Sequence, residues 1–165
     1  MAKLNSLEDL FVEQLQDLYD AEHQITKALP KMAKAASSSQ LQQAFQMHLQ
    51  QTEQQIQRLE QVFESVGQKA KGKTCEAMKG LIKEGDELMS MNAAPEVLDA
   101  GLIASAQRVE HYEMAGYGSV RTWAQQLGNQ QAVQLLQQTL DEEGETDHKL
   151  TQIAESMVNT RAAGA

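Results

Sequence analysis

Leu140-Asp141-Glu142-Glu143-Gly144-Glu145-Thr146-Asp147-His148-Lys149-Leu150 decides the fold of this chain. At helical spacing Leu140, Glu143, Asp147 and Leu150 share one stripe, so two acids stand where a core would place leucine. A lone carboxylate on an inward face is costly to bury. The pattern nevertheless recurs. Upstream, the row Leu98, Leu102, Ser105, Val109, Glu113, Gly116 and Val120 carries Glu113, with Glu110 and Tyr117 beside it. The row Leu41, Phe45, Leu49, Thr52, Ile56, Leu59 and Phe63 carries Glu53 beside Thr52. In the first segment, Leu7, Phe11, Leu15, Leu18, Ile25, Leu29 and Met32 leave one step open, and Glu22 fills it.

These rows predict four long helices. Ser6 is an N-cap with Asp9 in a capping-box position, and Pro30 kinks the first helix rather than ending it, because the pattern resumes at Met32. Ser37-Ser38-Ser39 forms the first turn and supplies the next N-cap. The second helix ends at Gly67. A basic loop, Gln68 to Lys73, leads to a short helix from Thr74 through Leu88 that closes before Pro95. The third long helix stops at Leu127-Gly128-Asn129, and the fourth frays through Arg161 to Ala165. Short turns near residues 38 and 128 make two antiparallel hairpins, while the stretch from about 67 to 95 is a crossover holding a fifth, short helix. The expected fold is all-α: one ferritin-like four-helix bundle domain spanning 1–165.

Counting from the turns puts the acids at one height. Glu22 and Glu53 lie roughly 16 and 15 residues from the first turn, so at ~1.5 Å per residue both sit ~23 Å from the same end. Glu113 and Glu143 lie about 15 residues either side of the second turn, with Glu110 and Asp147 one turn further. Six acids facing one another repel strongly in a low dielectric and require cations or protons. Iron or manganese, two ions held by oxygen ligands, meets that requirement; a protonated, metal-free cluster is the alternative. His48, about a turn and a half from Glu53, is open to three readings: a ligand, a donor to a carboxylate, or a core histidine. His111 points away from Glu110 and Glu113 by phase. Glu145 and His148 have E-x-x-H spacing but lie off the inward stripe, which excludes them. Tyr19 and Tyr117, each one turn from a candidate acid, serve packing or hydrogen bonding.

Bulk properties narrow the class further. In 165 residues, Lys plus Arg total 14 against 23 acids, a formal charge of −9 that argues against nucleic acid and anionic membrane surfaces. No apolar run reaches the roughly 18 residues of a membrane span. A lone cysteine, Cys75, cannot form an internal disulfide, and the start Met1-Ala2-Lys3-Leu4-Asn5-Ser6 runs into an amphipathic pattern rather than a signal peptide. A cytoplasmic location is expected.

Asp17-Leu18-Tyr19-Asp20-Ala21-Glu22, His48-Leu49-Gln50-Gln51-Thr52-Glu53, Val109-Glu110-His111-Tyr112-Glu113 and Leu140 to Asp147 together resemble the YciE/YciF family of bacterial stress-associated proteins, within the ferritin-like superfamily. The resemblance spans nearly the whole chain. It implies a compact helical bundle related in layout to rubrerythrin, a homodimer, and a setting in general or oxidative stress. Rubrerythrin-like sites share the Glu110 and Glu113 pair, but Ile56 and Thr146 stand where their histidines would follow Glu53 and Glu143. The donor set is then almost all oxygen, with Asp147 or His48 as replacements, which shifts preference towards manganese or leaves the site partly loaded. No rubredoxin-like cysteine pair supplies electrons, so the electron donor is unassigned.

Two functions compete. In the first, a dinuclear iron or manganese centre acts on peroxide or oxygen. In the second, a dimeric, non-catalytic interaction protein carries a structural or vestigial carboxylate cluster. Metal content and peroxide turnover discriminate between them.

Overall fold

The computed structural model describes residues 4–165; Met1, Ala2 and Lys3, part of the amphipathic start, lie outside them. The described residues form helices α1 (Leu7–Ala35), α2 (Ser39–Ser65), α3 (Glu76–Met89), α4 (Pro95–Gln126) and α5 (Gln130–Ile153). A π-helical turn (Ala154–Val158) and a last turn, α6 (Asn159–Ala163), follow.

Local chemistry sets the boundaries. At the start of α1, the Ser6 hydroxyl accepts from Asp9 N at 3.0 Å and Asp9 returns the bond to Ser6 N at 3.1 Å, a closed capping box. The helix runs through Pro30 without a break. Ser38 caps α2, and Asn129 caps α5 with its side chain on Ala132 N. Pro95 opens α4, where its missing N–H costs nothing. The short helix starts two residues later than Thr74, because the Cys75 sulfur is the group that accepts from Met78 N. Gly67 (φ 67°) and Gly128 (φ 76°) take the left-handed conformation that stops α2 and α4.

In cross-section α1 packs on α2 and α4, and α5 packs on the same two. The residue pairings Arg58–Thr139 and Gln55–Glu143 run α2 antiparallel to α5. The diagonal helices are therefore parallel, and the crossover must travel the length of the bundle. It does so along α1: Lys73 N bonds Gln16 O at 3.1 Å, Cys75 N bonds Asp20 at 2.8 Å, and Lys31 on α1 pairs with Asp86 on α3. Helix α3 thus lies across the α1–α4 face. This is the ferritin-like topology.

The apolar interior comes in two blocks. One, at the end holding the α1–α2 turn, is built from Ile25, Leu29, Phe45, Leu102, Ile103 and Leu150. The other, at the opposite end, includes Phe11, Leu15, Leu59, Phe63, Val120 and Leu136. Between them every long helix contributes buried polar side chains. None of the described helices is long and apolar enough to cross a membrane.

Asp99 clamps the closed end. Buried near the start of α4, it accepts from Ser37 N and Ser37 Oγ, each at 2.7 Å, and from Ser38 N at 2.8 Å. It ties the crossover's exit to the α1–α2 turn. Asp99→Ala should cost about 2–3 kcal/mol of unfolding free energy in urea, because it strands backbone donors. A loss below about 0.5 kcal/mol would show that water replaces the clamp.

Candidate metal centre

Glu22 on α1 faces inward because Leu18 and Ile25, one turn either side, are buried and fix the phase of the helix. On α4, Glu110 and Glu113 are one turn apart and both inward, with Tyr117 completing the row. Helix α5 contributes Glu143, and α2 contributes His48. All are essentially solvent-free: Glu22, Glu113 and Glu143 are 0% exposed, Glu110 1% and His48 3%. One donor atom each from His48, Glu110, Glu113 and Glu143 lie within 4.8 Å of one another. A neutral imidazole and three carboxylates at that separation are a donor set that can hold a metal ion.

Two of the sequence-predicted residues stand elsewhere. Glu53 is exposed. Phe45, His48, Thr52, Ile56 and Leu59 define the buried face of α2, and Glu53, one residue past Thr52, is turned about 100° off it. The expectation that Glu53 faces the cluster is corrected: at that level α2 presents Thr52 and Gln55 instead. Asp147 sits at the rim, its side chain 22% exposed, held 3.2 Å from His111 Nε2 and 3.1 Å from Gln107 Nε2. His111 is mostly exposed, as its phase predicts, but it is the partner that draws Asp147 outward.

The structure also brings in residues that sequence reasoning passed over. The Gln55 amide donates to Glu143. Next to it Arg58 forms a two-pronged pair with Glu142, at 2.7 and 2.6 Å, and donates to Thr139 at 3.0 Å. Tyr117 donates to Glu22 from full burial, whereas Tyr19 bonds Glu60 at 3.0 Å and packs edge-on against His23 and Phe63. Helical phase alone does not reveal them: Gln55 lies at the edge of the buried stripe of α2 and Arg58 further round, and both are drawn in by partners on α5.

Electrostatics here are dominated by burial. Loss of water pushes the Glu22 carboxyl up to about 8, with the nearby Glu143 charge adding to the rise. Glu110 is pushed up to about 7 chiefly by burial, and the Glu22 and Asp147 charges reinforce it. Glu113 and Glu143 rise well above the usual carboxylate range, first from burial and then from their acidic neighbours. With every carboxyl ionised, several polar atoms have no partner: Glu22 Oε2, both His48 nitrogens, Glu110 Oε2, both Glu113 oxygens and Glu143 Oε2. Protons would let Glu22 pair with Glu113 and Glu110 with Glu143. His48 Nε2 lies 3.1 Å from Glu110 Oε1 but is misaligned for a hydrogen bond. Unpaired buried polar atoms are rare in stable interiors. Here they converge on one point.

Fold and site together define a ferritin-like bundle with a buried carboxylate–histidine centre. The sequence matches the family described as Domain of unknown function (DUF892) over residues 6–163, and the chain belongs to that family. It is 49% identical to Protein YciF of Escherichia coli over 160 residues, covering 96% of each chain. The crystal structure of the E. coli stress protein YciF superposes with a TM-score of 0.91, covering 94% of this chain and 99% of that one. YcfI from Rhodopseudomonas palustris follows at TM-score 0.90 and 47% identity, over 92% of this chain and 97% of that one. A protein from Xanthomonas campestris shares the fold at 20% identity and TM-score 0.75, over 94% of this chain and 95% of that one.

The raised carboxyl values fix a pH dependence. Unfolding returns these groups to the usual value near 4.5, so the folded, metal-free chain binds more protons between pH 4.5 and about 8. Their contribution to stability is complete below that window and is lost as pH rises through it. The metal-free protein should therefore show a falling Tm from about pH 5 to about pH 8 in calorimetry. A flat or rising Tm would mean the carboxyls keep their ordinary proton affinity.

Proposed function

We propose that this protein is a metalloprotein whose centre holds two iron or manganese ions and acts on peroxide or dioxygen under stress. The observation that carries this reading is the convergence of unpartnered buried donors on His48, Glu110, Glu113 and Glu143, with Glu22 alongside. Charge supports the count of two. Glu22, Glu110, Glu113 and Glu143 are four buried carboxylates, and two divalent cations balance four negative charges with the imidazole neutral. The stress setting is supported by the similarity to the E. coli stress protein.

The side chains divide the work. Glu110, Glu113 and Glu143 supply the central oxygens, and Glu22 a further one from the α1 side. His48 supplies the one nitrogen. Tyr117 and Gln55 hold Glu22 and Glu143 in place by donating to one oxygen of each, leaving the other oxygen free. Arg58 and Glu142 close the α2–α5 seam beside Gln55 and keep bulk water out. A bound iron or manganese pair would supply two electrons, one from each ion, which matches the two-electron reduction of peroxide to water or of dioxygen to peroxide, with an external reductant restoring them. The almost all-oxygen donor set favours manganese over softer ions. A homodimer is part of this reading on the strength of the family resemblance, and sedimentation equilibrium tests it.

Anaerobic loading with manganese(II) or iron(II), desalting and mass-spectrometric metal analysis should give roughly two ions per chain. The double variant Glu110→Gln, Glu143→Gln should retain almost none while keeping its helical circular dichroism. Glu53→Ala, on the outer face, should load like the parent. A parent protein that takes up neither metal would leave the carboxylates as a structural, proton-neutralised layer in a non-catalytic interaction protein.

A further inference from the structure

An apolar cavity of about 30 Å³ lies between α1, α3 and α4, room for one or two water-sized molecules. Ile25 and Leu29 wall it from α1, Leu81 and Ile82 from α3, and Val109 from α4. Its inner end is formed by His48 and Glu110, two of the groups with unpartnered atoms. Its outer side is Gly85 of α3. Gly85 is buried, yet a Cβ built on it meets nothing within 4 Å. It is mid-helix with an ordinary helical conformation, so no backbone requirement accounts for it. What the missing side chain leaves is open space in front of the centre.

A second, smaller cavity of about 20 Å³ reaches the same two groups from the α2–α5 side, between Phe45, Met47 and Leu150 and past Gln51, Thr146 and Lys149. The two approaches differ in degree: the second sets a lysine, a glutamine and a threonine among its apolar walls, while the first is almost wholly apolar apart from Asp86 and Ser105 and its inner end. Polar walls suit hydrated or ionic species, whereas apolar walls offer nothing to replace lost hydration. Hydrogen peroxide would shed hydrogen bonds on the α3 side; dioxygen has almost none to lose.

We propose that the α1–α3–α4 cavity is a dioxygen-binding access pocket leading to His48 and Glu110, kept open by the absent side chain of Gly85. Its chemical consequence rests on the metal-centre reading; the binding of dioxygen itself does not.

The first test uses the metal-free full chain. Dissolved dioxygen is paramagnetic, so under oxygen pressure the methyl resonances of Ile25, Leu29, Leu81, Ile82 and Val109 should relax faster than those of Leu15 and Leu136 in the far core block. Gly85→Val should largely abolish that excess and Gly85→Ala reduce it, the alanine being a helix-favouring change that keeps the comparison open if valine fails to fold. Equal relaxation in both blocks, or an excess untouched by every folded Gly85 variant, overturns the pocket. The second test loads parent and Gly85→Val with iron(II) and follows its oxidation by dissolved dioxygen. Equal metal content with oxidation about tenfold slower in the variant supports the route, and equal rates overturn it. If neither protein takes up iron or manganese, the metal-centre reading fails while the relaxation result still decides the pocket.

Discussion

Four carboxyl groups buried in one layer can all be ionised only if cations balance them, and otherwise protons must occupy some, because in a dry interior like charges repel over several ångströms. Much of the surrounding structure answers that constraint. Tyr117 and Gln55 each spend a donor on the layer. Acids that would add to the charge are handled separately: Glu142 is matched by Arg58, Asp147 is drawn to the rim by His111 and Gln107, and Glu53 faces solvent. The result is a layer with one kind of unmet need, for positive charge. Its unmet atoms are clustered rather than scattered.

The topology makes such a layer possible. Diagonal helices run parallel only because the crossover returns along α1, and that return is secured by backbone bonds from Lys73 and Cys75 rather than by packing alone. The Asp99 clamp then fixes where α4 begins. A slip of one residue at that point would rotate Glu110 and Glu113 together by about 100°, off the inward face. The register of the centre is thus set roughly three to four turns away from it.

The sequence made α1, α4 and α5 legible because their acids interrupt rows of large apolar residues, where a missed phase is conspicuous. Glu22 between Leu18 and Ile25 is the clearest case. Helix α2 was harder to read. Its buried face contains His48, Thr52, Gln55 and Arg58, so polarity did not separate inside from outside, and Glu53 stood one residue from the correct line. Only partners on α5 show that Gln55 and Arg58 point inward. Asp147 illustrates a different limit. Its helical phase is close to that of Glu143, and its outward lean is decided by a histidine on a neighbouring helix.

The polar layer also divides the apolar interior into two blocks that share helices but little greasy contact. Hydrophobic packing alone gives such halves no strong reason to melt together. A metal held by Glu22, His48, Glu110, Glu113 and Glu143 would bond to residues from every long helix at the seam between them, and so would join the two blocks into one cooperative unit. A metal at this centre would therefore also be a mechanical fastener, the difference between a protein that opens end by end and one that opens all at once.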